Sequence, residues 1–202
     1  MKELVFATHN GNKAREIEAL LGERFRVITL GEAGFKEEIP EDRDTLEGNA
    51  LQKAGFVHDF LRRDCFADDT GLEVRALGNS PGIYSARYAE MSGELRPGET
   101  IPDANIRKLL HRMEKVLDRT ARFRTVIALI IDGKSYTFEG SVAGKILRHR
   151  RGEAGFGYDP VFQPWGYDLT FAEMSLEQKN RISHRAMAVQ KLTAFLKNYV
   201  TG

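Results

Sequence analysis

A short apolar strand that runs straight into an amphipathic helix opens the chain, and that pairing restricts the fold more than any other feature. Leu4 to Thr8 reads as a buried strand, His9, Asn10 and Gly11 form the turn, and Lys13 to Leu21 carries Ile17, Leu20 and Leu21 on one stripe. Periods near two and near 3.6 in direct succession call for a sheet with a helix laid on it. The same alternation continues. Arg26 to Leu30 reads as a second strand, and Gly31 to Arg43 as an acidic connection containing Pro40. Asp44 is placed to cap the next helix with Glu47 closing a capping box, and Leu46, Ala50, Ala54, Val57 and Leu61 share one face.

Cys65 to Ala67 reads as a short apolar strand ending at Asp68-Asp69-Thr70-Gly71, after which Leu72, Val74 and Ala76 alternate as in a half-buried strand. Gly78 to Gly82 is rich in turn residues, and Ala89 to Pro102 is a long loop without a period. Asp103 is placed to cap a helix bearing Ile106, Leu109, Leu110, Met113 and Val116. Phe123 to Ile131 and Ser135 to Val142 form a hairpin across Asp132-Gly133, with Lys145 to Leu147 as a further strand. Ser175 and Gln178 cap a short helix, and Ser183 begins the last one, whose Val189, Leu192, Phe195 and Leu196 face inward. The expected fold class is α/β, with a mixed, twisted central sheet and flanking helices.

Charge narrows the partners. With 30 Lys and Arg against 29 Asp and Glu, the formal charge of +1 is not that of a uniformly basic nucleic-acid binder, so any phosphate affinity must be local. The longest apolar run, Val126 to Ile131, is strand-sized, and neither a membrane span nor a secretory leader is expected. Cys65 is the only cysteine in 202 residues, which excludes an internal disulfide, fits a cytoplasmic chain and suggests a packed apolar side chain. A single domain of two lobes is expected at this length.

Several places can carry chemistry. Thr8-His9-Asn10-Gly11-Asn12-Lys13 hands a strand to a helix, whose terminal N–H groups and positive dipole end suit an anion, with Lys13 adding a point charge. The same residues also make an ordinary turn, and their spacing is not that of a Walker loop. Asp68 and Asp69 point to opposite sides of an extended backbone, so one can ligate a metal while the other takes a proton; a solvated turn is the other reading. Glu37, Glu38, Glu41 and Asp42 can supply a further ligand to a hard cation. Gly155-Phe156-Gly157-Tyr158-Asp159-Pro160 offers an aromatic platform for a base, or an aromatic turn packed on the core. Lys179 with Ser183-His184-Arg185 stands near the final helix start, where Arg185 would donate to a purine's 6-keto oxygen and confront adenine's amino group; a plain cap at Ser183 with a surface His-Arg pair is the other reading. Arg148 to Arg151 can steer polyphosphate or simply face solvent.

Taken together and in order, these blocks resemble the Ham1-like family of inosine/xanthosine triphosphate pyrophosphatases. The resemblance runs from Phe6-Ala7-Thr8-His9-Asn10 with Lys13, through Asn49-Ala50 with Lys53-Ala54, Ala67 to Leu72, Pro81 to Tyr88 and Phe156 to Pro160, to Lys179 and Ile182 to Arg185. It implies a Mg²⁺-dependent hydrolase that converts ITP, dITP or XTP to the monophosphate and pyrophosphate, cleansing the nucleotide pool of deaminated purines. A nucleotide-binding regulatory module without catalysis is the alternative. It further implies that Thr8, His9, Asn10, Gly11, Asn12, Lys13 and Lys179 hold the triphosphate and that Thr70 touches substrate. Asp69 would be general base and metal ligand, with Glu41 a second ligand. Phe156 would stack on the base, Gly157, Tyr158 and Asp159 would shape its pocket, and His184 with Arg185 would read the 6-keto edge. An elongated two-lobed fold with a central cleft, and a homodimer, come with the resemblance. Two departures stand out: Gly48 occupies a position often acidic in that family, and the loop 89–102 is long.

Overall fold

The computed structural model describes residues 2–21 and 25–200. Seven strands form one mixed sheet in the order β2-β1-β3-β5-β6-β7, with β4 paired to β3 beside that path. The strands are β1 (Lys2–Phe6), β2 (Phe25–Thr29), β3 (Cys65–Val74), β4 (Ser80–Gly82), β5 (Thr120–Ile131), β6 (Lys134–Ile146) and β7 (Phe162–Pro164). The helices are α1 (Gly11–Leu21), α2 (Leu46–Leu61), α3 (Ile101–Arg112), α4 (Leu176–Ile182) and α5 (His184–Val200). The α/β class and mixed sheet match the sequence expectation. No helix of the described residues is long and apolar enough to cross a membrane.

The chain divides into two compact units that interleave along the sequence. One comprises Met1–Asp69, Thr125–Gly140 and Ser183–Gly202, the other Thr70–Arg124 and Ser141–Ile182. Each has its own apolar core. In the first, β1 pairs in parallel with both β2 and β3, and the register Phe6↔Phe66 brings those rings into a stack with centroids 4.6 Å apart. Leu4, Phe6, Phe66, Ile127, Leu129 and Ile131 from the strands meet Ile17 and Leu21 of α1 and Ala188, Val189, Leu192 and Leu196 of α5. In the second, Leu72, Val74, Phe123 and Ile146 pack with Ile106 and Leu109 of α3, with Met113 just beyond it and with Phe162 and Phe171.

Several local expectations change for physical reasons. Cys65 to Val74 is one continuous strand, and nearly all of it is buried. Asp68 and Asp69 therefore sit inside a strand, not at its end, because Leu72 and Val74 beyond them enter the second core. The hairpin turn at Asp132-Gly133 forms with φ of 48° and 72°, the positive pair a two-residue hairpin favours. Lys145, read as part of a separate strand, continues β6.

Thr45, not Asp44, caps α2, accepting the Gly48 N–H at 2.9 Å; glycine at that third helical position leaves no side chain to complete a capping box. Thr100, not Asp103, caps α3, since Pro102 can occupy the first turn without an N–H to satisfy. The capping box of Ser175 and Gln178 forms as expected, with reciprocal bonds of 3.0 and 3.1 Å.

The loop 89–102 contains a 3₁₀ turn at Glu90–Ser92 and is tied to α3 by Lys108, whose ammonium reaches Glu94 at 3.2 Å, and by Arg107, which reaches Glu99. Cys65 is buried, its thiol donates to the Ala54 carbonyl at 3.2 Å, and burial pushes its pKa up to about 12. This is the packed cysteine the sequence suggested, and its raised pKa makes it unreactive.

Gly140 in β6 and the start of α5 approach each other closely. A methyl group at Gly140 would lie 2.1 Å from the His184 carbonyl oxygen and 2.5 Å from the Ala188 nitrogen. Only a residue without a side chain lets this strand support the helix turn that carries His184 and Arg185.

Candidate active site

Strand alternation on β3 gives the two acids different surroundings. Phe66 and Asp68 face α1 and α5, where Asp68 pairs with Lys13 at 3.0 Å and with Arg185 at 3.4 Å. Cys65 and Asp69 face α2, where Asp69 accepts the Asn49 side-chain amide at 3.1 Å and the Lys53 ammonium at 3.3 Å. The expectation that the two carboxylates cannot share one role thus has a structural basis.

Asp68 is wholly buried. Burial alone would raise its pKa, but Lys13, Arg185 and Lys53 outweigh that and hold the carboxyl well below the usual carboxylate range. Arg185 also pairs with the buried Glu16, one helical turn from Lys13 on α1. Lys13, Asp68, Arg185 and Glu16 therefore alternate in sign along a largely buried run of contacts. The Lys13 pKa is lowered, chiefly by burial, with Lys53 and Arg185 adding to the effect against the pull of Asp68. Arg185, expected to read a base edge, is buried and committed to two carboxylates, which fix its guanidinium in place.

Asp69 stands otherwise. Burial raises its pKa, and although Lys53 and Lys13 oppose this, Glu41 reinforces it. The carboxylate is thus more basic than an ordinary aspartate. Lys53 also bonds Glu41, so oxygens of Asp69 and Glu41 converge on one ammonium nitrogen. Burial would lower the pKa of Lys53, but Asp69, Glu41 and Asp68 raise it.

Two hard oxygen donors gathered around a single positive charge are the donor set a magnesium ion takes, and the residues present fit that ion. Glu37 and Glu38 are exposed, and Asp42 is held by Gln52 and lies near Arg43. Among the described residues no cluster of three or more His, Cys, Asp or Glu side chains is arranged around one point.

The segment before α1 combines both readings of the sequence. The Asn10 side chain accepts the N–H groups of Asn12 and Lys13 at 3.0 and 3.2 Å, and Thr8 accepts that of Asn10 at 3.1 Å. Asn10 therefore caps α1 itself and uses two of the terminal N–H groups expected to face an anion. The helix consequently starts at Gly11, earlier than the apolar stripe implied. His9 bonds the Glu37 carbonyl at 3.0 Å and so ties this turn to the acidic segment.

In the second unit, Phe156 is half-buried, and the Lys179 ammonium lies 5.0 Å from its ring centroid. Asp159 organises this platform, accepting the Phe156 N–H at 2.8 Å and the Lys179 ammonium at 2.7 Å. Gly155 is required there, since a methyl group at that position would fall 2.1 Å from the Asp159 carboxylate. Lys179, expected among the groups that hold the triphosphate, pairs with Asp159 beside this platform. The Tyr158 hydroxyl donates to the Ser85 carbonyl at 2.9 Å, and burial raises its pKa, so this side chain is scaffold. Gly157 adopts φ of 60°, and Thr70 is half-buried in β3. His184 is buried at the α5 start, where Ser183 caps the helix by accepting the Ala186 N–H at 3.1 Å.

Sequence reasoning assigned no task to Asn49, Lys53 or Glu16. The signal was available in the helix periods: Asn49 and Lys53 interrupt the buried face formed by Leu46, Ala50, Ala54 and Val57, and Glu16 lies beside Ile17 on the buried face of α1. A polar residue on an apolar stripe marks a buried partner.

The sequence matches the Ham1 family over residues 4–195. The chain belongs to that family. The dITP/XTP pyrophosphatase of Porphyromonas gingivalis is 53% identical over 197 residues, covering 97% of this chain and 98% of its own. That of Bacillus subtilis is 44% identical over 201 residues, with 98% of both chains covered. Among solved structures, the Ham1 protein of Staphylococcus aureus superimposes with a TM-score of 0.85 at 40% identity, covering 98% of this chain and 100% of its own.

Proposed function

We propose that this protein is a Mg²⁺-dependent pyrophosphatase that hydrolyses the deaminated purine triphosphates ITP, dITP and XTP to the monophosphate and pyrophosphate. The observation that carries the reading is Asp69, a buried carboxylate of raised pKa that shares the Lys53 ammonium with Glu41. Its chemistry is that of a positioned base beside a cation site, and the names of the P. gingivalis and B. subtilis relatives point to the same reaction. Held by Asp69 and Glu41, Mg²⁺ would neutralise phosphate charge and polarise the attacking water.

Asp69 takes the proton from that water as it attacks the α-phosphorus. Lys13 offsets charge on the departing pyrophosphate, and Thr8, His9, Asn10, Gly11 and Asn12 line the tail from the turn before α1. Thr70 also touches substrate. Phe156 stacks on the base, Asp159 and Lys179 secure that ring, and Gly157 and Tyr158 shape its surroundings. His184 and the immobilised Arg185 read the 6-keto edge. A donor that cannot retreat rejects the amino group of adenine.

The test is a panel of purine and pyrimidine triphosphates with and without Mg²⁺, with products resolved. We expect pyrophosphate from ITP, dITP and XTP, far slower turnover of ATP, and none without the cation. Orthophosphate as the product would move attack to the γ-phosphorus, and no turnover of any member would leave a regulatory nucleotide binder. A homodimer acting in the cytoplasm completes the proposal. Light scattering should return a mass near twice 22.8 kDa, and a monomeric mass at working concentration would remove the dimer.

A further inference from the structure

The acidic segment that carries Glu41 and the strand that carries Asp69 are distant in sequence, and two side chains of α2 are bonded to both. The Asn49 Oδ1 accepts the Arg43 backbone N–H at 2.9 Å, while its Nδ2 donates to Asp69 Oδ2 at 3.1 Å. Because a backbone N–H can only donate, the carbonyl end of the amide must face Arg43, and the NH₂ end is left for the carboxylate. Asparagine is suited to this because it has one accepting and one donating end; an aspartate would set a second negative charge against Asp69. One helical turn on, Lys53 joins the same two elements through Glu41 and Asp69.

Gly48 belongs to the same arrangement. A methyl group there would lie 2.9 Å from both Arg43 Cβ and the Thr45 hydroxyl oxygen. Any side chain at this position must displace the Arg43 backbone that Asn49 holds or disturb the Thr45 cap. The glycine therefore lets the Glu41 segment lie close to α2.

We propose that Asn49 is a positioning residue that sets the separation of Glu41 and Asp69, and that Gly48 permits the close approach this needs. The inference rests on the reading of Glu41 and Asp69 as the cation ligands. Partners that orient metal ligands typically change metal affinity by about 10- to 100-fold when removed.

The probe is Mn²⁺, which takes the same oxygen donors and whose free concentration can be counted by electron paramagnetic resonance during titration of the nucleotide-free protein. Asn49→Ala should weaken Mn²⁺ binding by about tenfold or more. Gly48→Ala removes no polar group and should weaken it in the same direction. Wild-type Mn²⁺ affinity in folded Asn49→Ala overturns the proposal, and so does a lowered melting temperature without any change in that affinity, which would mark a structural amide. Should Asn49→Ala fail to fold, wild-type affinity in Gly48→Ala overturns it. Glu41→Gln and Asp69→Asn separate this from the underlying reading: if neither alters Mn²⁺ binding, the ligand assignment is what fails.

Discussion

Asp69→Asn should keep its affinity for ITP while losing turnover by about 10²- to 10⁴-fold, the usual contribution of a positioned general base. The substitution is nearly isosteric, and the residues proposed to hold the triphosphate and the base are untouched. What changes is local and chemical. Asp69 presents two accepting oxygens, one to Asn49 and one to Lys53. An asparagine has one, so one of those donors would face an NH₂ group, and the carboxylate needed to take a proton is gone. Equilibrium binding of ITP and pyrophosphate release from the same preparation would be compared with wild type. Turnover unchanged in that variant removes Asp69 from catalysis, whereas loss of binding with loss of turnover would make it a ligand-holding residue instead.

The largest expected effect on stability lies next door. Asp68→Asn should cost about 3–5 kcal/mol at neutral pH, the range seen when one partner of a buried ion pair is removed. The cost arises because Asp68 is the buried carboxylate that bonds both Lys13 and Arg185, and its neutralisation leaves both cations without that partner.

The pH dependence has a definite sign. Asp68 has a folded pKa far below its unfolded value of about 3.9. Its stabilising contribution is therefore complete above that unfolded value and declines as pH falls toward the folded one. Denaturant unfolding at neutral pH should show a wide gap between wild type and variant, and the gap should narrow below about pH 4. A variant within about 1 kcal/mol of wild type at neutral pH, or a gap that persists into acid, would show that Asp68 is not the keystone of this charge network.

The contrast between these neighbours explains a division of labour. Asp68 is stabilised as an anion by three cations and so makes a poor base, while Asp69 is left more basic by burial and by Glu41. Adjacent carboxylates on a strand acquire different chemistry because the strand turns them toward different helices.

Much of this was legible in the residues. The N-terminal strand and helix, the Asp132-Gly133 hairpin, the Ser175 capping box and the inward face of α5 follow from local periodicity and turn chemistry, which depend on near neighbours. The order of motifs placed the chain in its family, and Asp69, Phe156 and the turn before α1 are the candidates for chemistry that it singles out. Local pattern also had limits. Two carboxylates in succession read as the end of a strand, because nothing nearby in sequence compensates their charge.

What compensates them comes from Lys13 on α1, Lys53 on α2 and Arg185 on α5, and only the fold brings those side chains to β3. The same holds for Lys179, which the sequence leaves available to a phosphate tail and which the structure binds to Asp159 beside Phe156. Backbone periodicity is encoded over a few residues and survives in the sequence alone. The ionisation of a buried group depends on charges within a few ångströms, and these were decided when distant segments met.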